Sequence, residues 1–362
     1  MRSRIWMGTL QAVAVLAAVV LSGMAPAARA AETINLTIVS GFPTVAAVVK
    51  LLQENYIPEV NKALAAGGKY TIKWNEAFAG TIAKPGGELD AIRTGLADIG
   101  IVLTPAHADR LPYYNVGYVS PFVTSDMKLM ARAVDELTAK IPEMQAAWAR
   151  QNQVFLGASG VGDDYLVLST KPIGRLKDMK GLKVGGIGLN LRWIQGAGAV
   201  GVTSNLAEFY NGLKTGVMDA ALMWGEAAVG QKMYEAAPYM LQARLGGATA
   251  YALTVNGDRW KKLPPEVQKI LKDKAVVFGQ ELGAYVARVG ATAPEKYKAN
   301  GGKVTALSDA DRLEWANQMP NMAREWAAAL EKQGLPGRKV LSGYMDIMRA
   351  NRQPIARQWD KE

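Results

Sequence analysis

The sequence predicts a two-lobed α/β protein in which strands cross between the lobes and one long helix lies along both. Three observations lead there. Short β-branched runs alternate with stretches of helical periodicity from Ile34 onward, the pattern of a mostly parallel sheet covered by helices on both faces. Two glycine-bearing stretches, Ala158 to Thr170 and the region around Gly246-Gly247, join runs of different composition and read as passages between lobes. Finally, 362 residues at 49% apolar composition exceed one typical core and suggest two. The expected division is residues 1–30 as a leader, 31–161 with 249–295 as the first lobe, and 162–248 with 296–362, including C-terminal helices, as the second.

The elements follow in order. Ile34 to Val39 is a strand, Ser40-Gly41-Phe42-Pro43 breaks it, and Val45, Val48, Val49, Leu52 and Tyr56 recur at helical spacing. Tyr70 to Trp74 is a second strand after Gly67-Gly68. Gly86-Gly87 then leads a helix through Glu88, Leu89, Ile92 and Leu96 into the strand Ile99 to Leu103. One strand is expected to cross within Ala158 to Thr170. Lys183-Val184 begins another strand, Leu189 to Ala199 continues as a helix, and Ala250 to Val255 returns to the first lobe. Leu263-Pro264-Pro265-Glu266 has the proline and acid of a helix start. Apolar periodicity continues from there to Lys298, so one helix of about 30 residues and about 45 Å is expected. Ser308 to Gln333 reads as a further helix, with Ser308 as N-cap and Gly334 as C-cap.

Residues 1 to 30 carry Arg2 and Arg4, an apolar run from Leu10 to Leu21 interrupted by Gln11, and then Ala28-Arg29-Ala30. That is the pattern of a cleaved export signal, and the apolar run falls short of the roughly 20 residues a membrane span needs. Loss of Arg2, Arg4 and Arg29 with it would lower the formal charge from +10 to +7. Lysine and arginine are scattered without blocks, so the basic balance argues for a solvated surface with mild steering of anions, not for nucleic acid. The absence of cysteine excludes disulfides, zinc thiolate sites, iron-sulfur centres and thiol catalysis.

His107 is the sole histidine, and its setting, Pro105-Ala106-His107-Ala108-Asp109, reads as a surface loop. A Ser-His-Asp triad or a histidine metal site would have to rest on it alone. Neither Gly-x-Ser-x-Gly nor His-Glu-x-x-His occurs. Gly185-Gly186-Ile187-Gly188 suggests a dinucleotide loop, but Leu191 stands where the third glycine belongs. Catalytic, metal and cofactor sites are therefore not expected. Tyr165, Trp193, Met223 and Trp224 could be core, yet Trp224 follows a short strand and Tyr165 lies at a crossing. Those are positions for the walls of a small-molecule cleft.

Glu208-Phe209-Tyr210, Leu213, Gly216-Val217 and Asp219 resemble the Glu-x-Tyr-x-x-Leu-x-x-Gly-Val-x-Asp signature of the solute-binding proteins of TRAP (tripartite ATP-independent periplasmic) transporters. The run Leu176 to Val184 resembles the Leu-x-Asp-x-Lys-Gly-Leu-Lys-hydrophobic run of the same DctP-like family. Gly95 to Ile99 and Leu263-Pro264 match further steps of it. The resemblance implies the two-lobed periplasmic solute-binding protein fold, closing on an organic acid in the periplasm and delivering it to the small and large membrane subunits of an ion-driven permease. It also implies an arginine fork for the acid, but at that position this chain has Gly185. A second arginine of some members falls at Tyr165, and a pocket acid falls near Leu103.

Two readings of the ligand follow. Arg192 could take over a carboxylate while Gly185, Tyr165, Leu103, Met223 and Trp224 enclose an apolar or aromatic body, the favoured reading. Alternatively the ligand is an amine, polyol or neutral compound held by Tyr165 and Trp224. The ligand-binding residues expected are Ser40, Phe42, Thr104, Tyr165, Asn190, Arg192 and Trp224, followed by Asn205 and Glu208, which helix capping would equally explain. A sensor that presents its ligand to a membrane receptor would use the same fold.

Overall fold

The computed structural model describes residues 31–162 and 164–362; the expected export signal lies outside them. Among the described residues, eleven strands form two sheets. In chain order they are β1 Glu32–Val39, β2 Tyr70–Ala77, β3 Ile99–Leu103, β4 Gln153–Val161, β5 Tyr165–Ser169, β6 Lys183–Gly186, β7 Val200–Thr203, β8 Ala220–Trp224, β9 Tyr239–Gln242, β10 Ala248–Asn256 and β11 Lys303–Ala306. The first sheet has the order β2-β1-β3-β10-β4 and the second β11-β9-β5-β8-β6-β7.

Parallel pairing holds where a helix returns the chain to the same end of a sheet: β1 with β2 and β3, β6 with β7 and β8, β9 with β11. The crossing strands differ from the expected parallel pattern. β10 runs antiparallel to β3 and β4, and β5 antiparallel to β8 and β9. A strand arriving from the other lobe enters its sheet from the opposite end, so its direction is reversed.

The crossing at Ala158 to Thr170 is two strands in different sheets, not one. Asp164 lies between them and accepts a hydrogen bond on Oδ1 from the Gly246 N–H at 2.9 Å, while the Tyr165 N–H donates to the Gly246 carbonyl at 3.0 Å. The two passages between the lobes, β4 to β5 and β9 to β10, are thus bonded side by side. Gly247 lets them approach: a Cβ there would stand 2.4 Å from the Gly162 carbonyl and 1.8 Å from the Met127 methyl.

The long helix is Pro265–Gly290, 26 residues, or about 39 Å. It stops short of Lys298 because Pro294 has no N–H to continue the ladder; a separate helix, Ala293–Ala299, starts there with its proline in the first turn. It packs on β4 and also touches the second-lobe helix Gly225–Gly230, as a lobe-spanning helix should. Ser308 to Gln333 likewise divides. Ser308 caps Asp309–Gln318 through the Asp311 N–H, Pro320 ends that run, and Asn321 caps Met322–Glu331. The last helix, Gly337–Ala350, lies on Met127–Lys140 of the first lobe, with Gly343 facing Leu137. Residues 337–350, which the sequence division assigns to the second lobe, pack on Met322–Glu331 as well as on Met127–Lys140. No helix among the described residues is long and apolar enough to cross a membrane.

One packing detail makes stability depend on pH. Asp135, on Met127–Lys140, accepts the Ala158 N–H of β4 at 2.7 Å, and burial pushes its carboxyl up to about 7. An unfolded aspartate titrates near pH ~3.9. The folded state therefore holds a proton between those values that the unfolded chain releases, and the stabilisation present below pH ~4 is lost as pH rises through about 7. Asp135→Asn keeps the acceptor without the buried charge. We expect it to unfold at higher temperature than the parent at pH 8 and to converge with it as pH falls below ~4; a lower midpoint at pH 8 would refute this account.

Candidate functional site

The site forms where the ends of the two sheets meet. Tyr165 opens β5 and pairs directly with Trp224, the last residue of β8, so both rings stand on one face at the ladder's end. Their centroids are 5.7 Å apart, edge to face. Trp193, on the 3-10 helix Gly188–Ala197, sets its edge against Tyr165 at 4.9 Å and stacks on Tyr118 of the first lobe at 6.0 Å. The Trp193 indole N–H donates to the Tyr118 carbonyl at 2.7 Å, and the Tyr118 and Tyr165 hydroxyls meet at 3.3 Å. The two lobes therefore touch through aromatic side chains. On the first-lobe side Phe42 packs edge-on against Tyr251, near the start of β10, at 5.6 Å.

Two glutamates accompany the rings. Glu226 accepts the Trp224 indole N–H at 3.1 Å. Glu88, fully buried at the start of Glu88–Arg93, accepts the Gly41 N–H at 2.9 Å and the Gly86 N–H at 2.7 Å, which fixes the loop carrying Phe42. Burial holds both carboxyls above the ordinary range, and hydrogen bonds pull the other way. Both act on Tyr251, whose phenol is driven up chiefly by burial and secondarily by Tyr118, Glu226 and Glu88. The arrangement gathers ring faces, hydroxyls, an amide and two carboxyl groups at the junction of the lobes.

The expected residues divide into two groups. Ser40, Phe42 and Thr104 lie on the first-lobe side: Ser40 accepts the Phe42 N–H at 3.3 Å, and Thr104 donates to the carbonyl of Ala250, beside Tyr251, at 3.3 Å. Tyr165, Asn190 and Trp224 lie on the other. Asn190, buried, accepts the Ile187 N–H at 2.7 Å. The structure does not bring Arg192, Asn205 and Glu208 to this group. Arg192 is paired with Glu325 at 2.7 Å, Asn205 caps the helix Leu206–Lys214 through the Ala207 and Glu208 N–H groups, and Glu208 accepts from Ser204 at 3.2 Å. Asn205 and Glu208 are exposed.

Gly185 is not a pocket wall. A Cβ there would stand 2.5 Å from the Met218 sulfur and 3.2 Å from Phe209, so this glycine lets Met218 and Phe209 pack over β6. Met223 is fully buried and points to the opposite face of β8 from Trp224. His107 is buried, not a surface loop residue. Its Nδ1 meets Arg110 at 2.9 Å, and burial followed by the Arg110 charge lowers its pKa. Sequence reasoning missed Glu88, Tyr118, Tyr251 and Glu226 as site residues. Only Glu226 carried a signal, an acid two residues beyond the tryptophan that ends a strand.

The family model for bacterial extracellular solute-binding protein, family 7 (DctP), matches residues 53–331. The chain belongs to that family. A solute-binding protein of Albidiferax ferrireducens is 25% identical over 288 residues, covering 73% of this chain and 77% of that one. Among solved structures, a TRAP periplasmic solute-binding protein of Desulfovibrio salexigens superposes with a TM-score of 0.76 at 21% identity, covering 88% of this chain and 96% of that one. A TRAP solute-binding protein of Rhodoferax ferrireducens, in complex with copurified benzoate, gives 0.74 at 20% identity, covering 88% and 98%. The family-7 protein described here is thus a DctP-like TRAP solute-binding protein with the two-lobed α/β fold of its class, a transport component of a periplasmic family.

Proposed function

We propose that this family-7 protein captures one small organic solute between its lobes in the periplasm and delivers it to the small and large membrane subunits of a TRAP permease for ion-driven uptake. The observation that carries the reading is the aromatic group drawn from both lobes, Tyr118 on one side and Tyr165, Trp193 and Trp224 on the other. A ligand placed there touches both lobes and favours their closure by hinge motion. Ser40, Phe42, Thr104, Tyr165, Asn190 and Trp224 are the proposed contacts, joined by Tyr118 and Tyr251.

The benzoate of the Rhodoferax relative supports an acid with an aromatic body. The chemistry of the site supports the other reading, a solute without a carboxylate, because Arg192 is engaged by Glu325 and position 185 is closed by Met218. Thermal unfolding of the purified protein against aliphatic acids, aromatic acids, amines and polyols tests capture directly. A ligand at a hundred times its dissociation constant adds about 2.7 kcal/mol, a rise of a few degrees. Trp224→Ala and Tyr165→Ala are each expected to weaken that ligand at least tenfold while the far-ultraviolet spectrum stays that of the parent. Undiminished affinity in both variants would remove the site from this position.

A further inference from the structure

We propose that the solute is an organic cation and that Glu226 is its counter-ion inside the aromatic walls of Trp224, Tyr165, Tyr118, Tyr251 and Phe42. The inference rests on the interlobe site proposed above and names its ligand class.

Four observations carry it. First, the faces of tryptophan and tyrosine are negative and attract an ammonium group, most strongly where water is excluded, and these rings are buried or nearly so. Second, the charges beside them have one sign. Glu88 spends both oxygens on backbone N–H groups, whereas Glu226 spends one on Trp224 and keeps the other. Burial disfavours both charges, and among the described residues neither is paired with a lysine or arginine. A buried carboxylate without a cationic partner is costly, and a ligand ammonium supplies that partner where a ligand carboxylate would add to the repulsion. Third, of the two positions where the resemblance puts an arginine, Gly185 is covered by Met218 and position 165 holds a tyrosine, and Arg192, the remaining candidate, is paired with Glu325.

The fourth observation is independent of the acids. Ser159 of β4 pairs directly with Tyr251 of β10, which puts the two side chains on the same face of the first sheet. Ser159 is 1% exposed, and its hydroxyl has no hydrogen-bond partner. A buried hydroxyl left unpaired beside the site can still give a proton or accept one; it marks a polar contact for a ligand and can accept from an ammonium N–H.

The test uses three probes that share a ring and differ in charge: benzylamine, benzyl alcohol and benzoate. Each is titrated calorimetrically into the purified protein and into Glu226→Gln and Trp224→Ala. Benzylamine is expected to bind at least tenfold more tightly than benzoate. Glu226→Gln should weaken benzylamine at least tenfold and leave benzyl alcohol within twofold, a split that a merely structural glutamate would not produce. Tightest binding of benzoate, equal binding of benzylamine and benzyl alcohol, an unchanged benzylamine affinity in Glu226→Gln, or no heat from benzylamine at millimolar concentration would each overturn the inference. Capture between the lobes is judged separately. If Trp224→Ala weakens whichever probe binds, the interlobe site stands even when its charge preference is not the one proposed; if Trp224→Ala changes nothing, the site itself is lost.

Discussion

Replacing Trp193 with alanine is expected to cost about 3–5 kcal/mol of folding stability, the range for removing a fully buried aromatic side chain, and to abolish the thermal response to any ligand. Trp193 is completely buried, stacks on Tyr118, meets Tyr165 edge-on and gives its indole N–H to the Tyr118 carbonyl. Alanine removes all three contacts. It leaves a cavity at the junction of the lobes and a buried carbonyl without its donor, so Tyr118 and Tyr165 lose the surface that orients them. Trp315 is anchored independently, because it donates to the backbone carbonyl of Trp193, which the substitution retains. Trp193→Phe restores a ring but no donor and should lose about 1–3 kcal/mol, the cost of leaving a buried acceptor unpaired. Urea unfolding of the three proteins gives the order directly, and an alanine variant within experimental error of the parent would contradict the packing described.

Gly279→Ala is the second large effect. A mid-helix glycine replaced by alanine ordinarily gains about 1 kcal/mol of helix propensity, so the naive expectation is stabilisation. Here the new Cβ would stand 2.0 Å from the Ala158 carbonyl of β4, and neither backbone can yield without lifting the long helix from the sheet. Overpacking of this kind costs about 1–3 kcal/mol, and we expect the net change to be a loss measurable as a lower urea midpoint. Gly230, which ends its helix with open space around the position of a Cβ, is the control: alanine there should be neutral or mildly stabilising. A gain at position 279 equal to that at 230 would mean that the helix does not sit on β4 as closely as described.

The strands were the most legible part of the chain. β1, β3 and β10 are short runs with β-branched residues, bounded by Ser40 after β1, Asp98 and Thr104-Pro105 around β3, and Gly247 and Gly257 around β10, and their positions follow from those residues. Direction was not legible, because an apolar run reads the same both ways; only the crossings decide that β5 and β10 oppose their neighbours. Helix lengths were overestimated at Pro294 and Pro320, where apolar periodicity continues across a proline that the backbone cannot pass. The second-lobe wall of the site, Tyr165 with Trp224, was recoverable from strand-end positions. Glu88, Tyr118 and Tyr251 were not, since they are far apart in the chain and converge only through the crossings. Arg192 shows the same limit from the other side. Its partner Glu325 is 133 residues away, and nothing local to either residue announces the pair.

The bond between Asp164 and the Gly246 N–H has a mechanical consequence. Two thin connectors that could flex separately would let one lobe roll and slide over the other. Tied together by this bond and by the Tyr165 N–H on the Gly246 carbonyl, they are expected to act as a pair of leaf springs, compliant about the one axis they share and stiff against torsion and shear. Under the capture proposed above, opening is then expected to follow a single arc, with the rings on the two lobes meeting in the same alignment on each closure, so that little orientational freedom remains to be lost when a solute is enclosed.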